Sequence, residues 1–369
     1  MIINKNINLL IIQIFKINLF EVLTITMLFL LINCSDSSDV KISIPEIMCK
    51  SETFISDDYI FDNEGLNKPT IIREVPNTKE LIVLDTGNTC FYVFSPEGKF
   101  IRKISRIGQG PGEMLKPLYF NIDEYGDIYV YEFGNRRLSI FSKEGKFYNS
   151  FRIQQKVSTM GFFSNLYVSS NREILMNLPG TGYYITVFNR EGDIINQIGK
   201  IPENLIKLSK IFDTYLIGYP FVDEKSRYYI FIQSLLAVYI YDKNGNLINK
   251  KNLGEVLYRK DIINDFVTPE KQVNTGDIHL NLIIQDINYK YSQFYILSPI
   301  NKFPITKNSK RYIYLLDEDL NLKKIFLLPS IEGDNNRNHI NHKFEVLKDI
   351  DSFLMPIGFA GKILIFKPL

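Results

Sequence analysis

The sequence has no tryptophan, only three cysteines and only three histidines among its 369 residues. So few cysteines cannot build the cross-linked framework of a small disulfide-rich domain. The histidines, His279, His339 and His342, all come late in the chain. The sequence therefore shows no Ser–His–Asp order, no H-E-x-x-H pair and no Cys–His pairing, and no catalytic residue is assigned. Asn338–His342 does spell H-x-x-H, but no acidic or cysteine partner stands at ligand spacing, and it reads as a solvated loop. Charge of one sign is also lacking. Lys and Arg total 43 against 41 Asp and Glu, a net of +2 with the basic residues dispersed. That distribution offers no electrostatic footprint for nucleic acid. The apolar run Val22–Ile32 is too short for a membrane-spanning helix.

What the chain does have is a repeat. Leu81–Phe100 (LIVLDTGNTCFYVFSPEGKF) recurs 47 residues later as Ile128–Phe147 (IYVYEFGNRRLSIFSKEGKF), with nine of twenty positions identical and no gap. A period of roughly 40–50 residues is the mark of propellers and solenoids. Ile128–Tyr131 is β-branched and aromatic, as strands prefer. Gly134-Asn135 supplies a turn, Leu138–Phe141 a second strand, and Lys143–Lys146 a turn with Gly145 where φ > 0 is expected. Phe147–Ile153 and Leu118–Ile122 complete four strands per period, the content of one propeller blade. Weaker copies follow at Ile185–Ile194, Tyr228–Leu247 and Tyr312–Ile325, where Leu320 takes the glycine position of the turn.

The fold expected is all-β, a six-bladed β-propeller of four-stranded antiparallel blades over residues 51–369, with seven blades as the alternative count. The last strands, around Phe353–Met355 and Lys362–Lys367, are expected to share a blade with N-terminal strands near Ile71–Val75. The 27 Phe and 22 Tyr supply packing between blades without any Trp. Ile201–Leu216 has near-helical apolar spacing and Leu257–Gly276 is polar and irregular; both read as insertions on the scaffold. Cys49 and Cys90 are expected to be buried free thiols rather than a disulfide.

Residues 1–33 read as a signal peptide: Lys5 and Lys16 precede the apolar run, which ends at Asn33-Cys34-Ser35-Asp36. Leu31–Cys34 resembles the lipobox of bacterial lipoproteins, departing from it at Asn33, where Gly, Ala or Ser is usual. That resemblance implies lipidation of Cys34 and a tether over residues 34–50, beginning with the acidic stretch Ser35–Val40. An uncleaved signal anchor is the alternative.

Three groups of residues are candidates for ligand binding. Arg106-Ile107-Gly108-Gln109-Gly110-Pro111-Gly112-Glu113 lies between two repeats. It is neither a dinucleotide fingerprint nor a P-loop, since no βαβ unit or Gly-Lys-Ser/Thr follows. Its glycines would let backbone N–H groups approach an anionic or sugar ligand beside Arg106 and Glu113, or would serve a tight inter-blade crossover. Asp85 and Glu132 share one repeat position and so one rim. They read as part of an acidic ring or as turn-bonding carboxylates, and Ile232 interrupts the ring. Arg136 and Arg137 could take a carboxylate or phosphate in bidentate fashion, or form inter-blade ion pairs. No cofactor and no metal ligand is assigned, although a divalent cation in the channel stays open.

The G-x-G-P-G-E stretch following Glu97–Ile104 (EGKFIRKI) resembles the six-bladed β-propeller lipoproteins of Gram-negative bacteria, related in repeat pattern to NHL-repeat propellers. The resemblance covers roughly residues 50–369, is strongest from Leu81 to Ile153, and beyond Gly254 rests on spacing. It implies an envelope-anchored propeller and carries over no chemistry. The function expected is a non-enzymatic binding or scaffold module, held to the membrane by a lipid and facing a glycan, peptide or envelope protein. The alternative is a metal-assisted hydrolase or lyase working at the central channel; the scarce, late histidines argue against it.

Overall fold

Ten residues at the N-terminal edge, β1 (Glu46–Ile55), close the molecule. The structure is a computed structural model that describes residues 44–55, 65–154, 166–206, 216–257, 259, 284–299, 311–331, 343–347 and 352–369. All of them belong to one compact unit, Ile44–Leu369. Cys34, the signal segment, all three histidines and most of both insertions lie outside the described residues.

After β1 the chain winds four antiparallel sheets in succession. The first is β2 (Pro69–Glu74), β3 (Leu81–Asp85), β4 (Cys90–Phe94) and β5 (Phe100–Ile104). The second is β6 (Pro117–Ile122), β7 (Ile128–Glu132), β8 (Arg137–Phe141) and β9 (Phe147–Arg152). The third is β10 (Leu166–Val168), β11 (Ile174–Met176), β12 (Tyr183–Phe188) and β13 (Ile194–Lys200). The fourth is β14 (Gly218–Val222), β15 (Tyr228–Ile232), β16 (Ala237–Tyr241) and β17 (Leu247–Asn252). The fifth blade is β18 (Asp286–Lys290), β19 (Gln293–Pro299), β20 (Arg311–Asp317) and β21 (Leu322–Leu328). The sixth has three C-terminal strands, β22 (Glu345–Leu347), β23 (Ser352–Ile357) and β24 (Lys362–Pro368).

The sixth blade takes its outer strand from β1, which pairs antiparallel with β24 from Cys49 to Ile55. Just before that, Glu46–Met48 run parallel to Ile325–Leu327 of β21, so β1 stitches blades five and six into one eight-stranded sheet. One expectation is corrected here. Ile71–Val75 does not close the ring; Ile71 to Glu74 belong to β2, the inner strand of blade one. Residues 46–50, read from the sequence as tether, are part of strand β1: Glu46–Met48 pair with β21, and Cys49 and Lys50 with β24.

Six apolar clusters fill the six contacts between neighbouring blades. Ile82, Phe91, Phe120 and Val130 lie between blades one and two, and Tyr131, Leu138, Ile174 and Met176 between two and three. Ile185, Val187, Ile230 and Ile232 lie between three and four, and Phe231, Val238, Phe294 and Leu316 between four and five. Leu297, Phe326, Phe353 and Phe366 fill the next, and Val83, Tyr92, Leu354 and Ile363 close one onto six. Both faces of a blade are thus covered, which explains why β3, β7 and β15 read as continuous apolar runs instead of alternating ones. Outer strands such as β5, β9 and β17 are half-exposed and polar.

The turns use local side-chain chemistry. Asp123 Oδ1 accepts from the N–H groups of Tyr125 and Asp127, and Asp223 Oδ1 repeats this with Lys225 and Arg227. In the turns between third and fourth strands, Gly98, Gly145, Gly192 and Gly245 have φ of 82°, 96°, 96° and 81°. Leu320 adopts φ 61° at the same position. Its side chain is buried in the contact between blades four and five, and that burial offsets the cost of the left-handed backbone. Cys49 and Cys90 are buried thiols outside any disulfide, and burial pushes the Cys49 thiol up to about 11, so it stays protonated at neutral pH.

Candidate functional site

The antiparallel winding sorts the connections onto two faces. Turns joining first to second strands, such as Asp123–Asp127 and Asp223–Arg227, lie on one face. Turns joining second to third strands, together with the crossovers between blades, lie on the other. Every binding residue singled out from the sequence falls on this crossover face.

There the structure brings most of them together. Glu132, fully buried at the end of β7, accepts from Leu115 N (3.0 Å), Asn135 Nδ2 (2.6 Å), Arg137 Nε (2.9 Å) and Ser139 Oγ (2.5 Å). Arg137 then points its remaining nitrogens into the glycine loop. It donates to the carbonyls of Gln109 (3.1 Å), Gly110 (3.1 Å) and Glu113 (2.7 Å). Gly108 is a close-packing position, because a Cβ there would lie 2.1 Å from Glu113 Oε2; Gly112 holds φ 78°. Glu113 closes the loop on itself, accepting from Gly110 N (3.0 Å) and pairing with Arg106 (3.0 Å). The Gly110 N–H and then the Arg106 guanidinium hold its carboxyl below the usual range. The loop's anion-binding groups are therefore turned inward onto the chain's own side chains.

Asp85 builds the same corner one blade earlier without an arginine. Its carboxylate accepts four backbone N–H groups, those of Asn67 (2.8 Å), Lys68 (3.0 Å), Gly87 (2.9 Å) and Asn88 (2.9 Å). Cys90 stands where Arg137 does in the next blade, which is why the two corners differ. Arg136 is exposed in its turn at φ 49°.

The opposite face carries a site that the repeat did not disclose. At the channel mouth, inner strands of blades one to five surround a cavity of about 220 Å³. That is room for roughly seven waters, below the usual range for drug-sized ligands. One wall is aromatic. Tyr167, Phe221 and Tyr289 pack as three mutually inclined rings, with centroids 5.2, 6.3 and 6.4 Å apart.

The other wall is charged. Arg73 Nη1 donates to the carbonyls of Ile72 (2.7 Å) and Phe344 (3.3 Å) and stands 3.6 Å from Glu345 Oε2. Lys290 pairs with the second oxygen of Glu345 and reaches Val346 O at 3.4 Å. Asn288 donates to Phe344 O at 2.7 Å. Beside them Glu74 meets Lys79 at 3.1 Å, and burial raises the Glu74 carboxyl above its ordinary range.

Below this wall the channel is plugged. Lys343, almost fully buried, lies 3.5 Å from Asp286, 3.2 Å from Gln285 O and 5.8 Å above the Tyr219 ring. Burial lowers its pKa. Among the described residues no three His, Cys, Asp or Glu side chains gather as metal ligands. The channel carboxylates Glu74, Asp286 and Glu345 each face a lysine or arginine.

The signal for this mouth was present in the inner strands. Arg73, Asn121, Asn288, Lys290 and Glu345 are polar residues inside short strands otherwise suited to burial. They differ from blade to blade, so a search for repeated residues passes over them.

Six four-stranded blades around a plugged channel, with a cup at one mouth, define a β-propeller of the six-bladed class. Residues 66–200, which carry the first three blades, match the family model DUF5128, described as a 6-bladed beta-propeller. Among solved structures, a member of the DUF4221 family from Bacteroides vulgatus superposes with a TM-score of 0.55 at 11% identity, covering 87% of this chain and 97% of that one. A Bacteroides fragilis protein named as exported gives 0.52 at 14% identity, covering 89% and 100%. Likeness at such identities is one of fold alone. Among curated proteins, the protein brain tumor of Drosophila melanogaster is 24% identical over 153 residues. That alignment takes in 40% of this chain and 13% of the relative's length.

Proposed function

We propose that this protein is a cell-envelope lipoprotein, anchored through Cys34, whose propeller binds one terminal group of a glycan or peptide at the channel mouth and does not transform it. The observation that carries this reading is the cup itself. It is small, aromatic on one side, and backed by a channel whose carboxylates Glu345 and Asp286 each face a lysine or arginine. The exported Bacteroides fragilis protein of the same fold is in keeping with an envelope location.

Two measurements test the two halves. Labelled palmitate fed to expressing cells is expected to enter the wild type and not Cys34→Ala; equal labelling removes the anchor. Thermal melts of the full-length protein against monosaccharides and short peptides are expected to find a stabilising ligand. At a hundredfold its dissociation constant the gain is about 2.7 kcal/mol. The gain is expected to vanish in Tyr167→Ala, which opens the aromatic wall. A ligand that stabilises both proteins equally sits elsewhere, and release of a cleaved product contradicts the non-enzymatic reading.

A further inference from the structure

The cup's two walls differ in what they leave unspent. Arg73 is 4% exposed, yet only its Nη1 is engaged; Nε and Nη2 make no hydrogen bond to any described residue. The buried Arg73 and the half-buried Lys290 share the single carboxylate of Glu345. Glu74 stands nearby but is itself paired with Lys79. Of the carboxylates that line the cup, Glu74 is paired with Lys79, Asp123 with Arg172, and Glu124 is exposed, so none of them takes up the Nε and Nη2 of Arg73. Burying charge without a partner is costly, and an arginine fork with free N–H groups matches a carboxylate in bidentate geometry.

We propose that the cup recognises a carboxylate. The incoming group's charge sits against Arg73 and Lys290, and its ring or aliphatic body lies on Tyr167, Phe221 and Tyr289. This rests on the binding function proposed above and names the chemistry of its ligand. Such a carboxylate has two sources within the cup's size, an acidic sugar and an acidic amino-acid residue. Neutral sugars lack the charge, and amines carry the wrong one.

The test is a calorimetric titration of the full-length protein with matched pairs. Glucuronate is compared with glucose and glucosamine, and an N-acetylated, C-amidated glutamate with its glutamine counterpart. The acidic member of at least one pair is expected to bind about ten- to a hundredfold more tightly, the range expected for hydrogen bonds to charged groups. Whichever pair shows the difference identifies the source. Arg73→Lys retains the charge and removes the fork, and is expected to lose about tenfold of that preference. Lys290→Gln, less buried, gives a second reading should the first variant fold poorly; it too is expected to reduce the preference. Equal binding of acidic and neutral members, abolished by Tyr167→Ala, overturns the carboxylate and leaves the cup as a binding site. Preference for glucosamine overturns it as well. No binding by any probe counts against both this inference and the function it rests on.

Discussion

Glu132→Ala is expected to lower the unfolding free energy by about 3–5 kcal/mol, the usual cost of removing one partner from a buried ion pair. The carboxylate is fully buried and satisfies four donors at once. Without it, the Leu115 N–H and the Arg137 guanidinium lose their acceptor. Arg137 in turn holds three carbonyls of the crossover loop, so the link between blades one and two loosens with it. Urea unfolding is the measurement, with a lower midpoint at an unchanged slope as the expected signature. Arg106→Ala is the control. Its side chain is 79% exposed, and exposed ion pairs contribute about 1 kcal/mol or less. If the two variants lose equal amounts, Glu132 does not anchor the crossover.

The second large effect concerns ring closure. A chain beginning at residue 56 lacks β1 and is expected to lose stability on the order of 5 kcal/mol or more, comparable to the whole stability of many domains. Two sources add up. Ile55 and Cys49 leave their apolar clusters, at about 1.5–3 kcal/mol for a buried aliphatic side chain. In addition β21 and β24 both lose a hydrogen-bonded neighbour and become open edges prone to aggregation. A chain beginning at Ile44 supplies the reference melt. Adding a peptide of residues 44–56 to the shortened chain is expected to recover part of the lost melting temperature by strand addition. An unchanged melt for the shortened chain would show that β1 does not close the ring.

The repeat made the blade legible before any coordinates. Gly98 and Gly145 mark turns because φ there is positive, and Phe94 and Phe141 recur because both faces of each blade pack against a neighbour. The local pattern also placed Asp85 and Glu132 on a common rim, since equivalent blade positions share a face. It could not say where their hydrogen bonds go. That depended on the crossover loop folding back onto Arg137, a meeting of residues more than twenty positions apart. Closure was hidden for a similar reason. Residues 46–50 have no repeat partner of their own and look like tether until β21 and β24 flank them.

By itself, the sequence determined the all-β class, the blade as the building unit and the face on which each turn lies, because strand period and turn chemistry are local properties. Only the tertiary structure decided that β1 joins two blades and that Arg73, Lys290 and Glu345 share one buried cluster. It alone set Tyr167, Phe221 and Tyr289, from three different blades, around one cup. These are long-range meetings on strands whose inward positions vary from blade to blade. No short-range pattern encodes them, because what selects each residue there is the neighbour it faces across the channel.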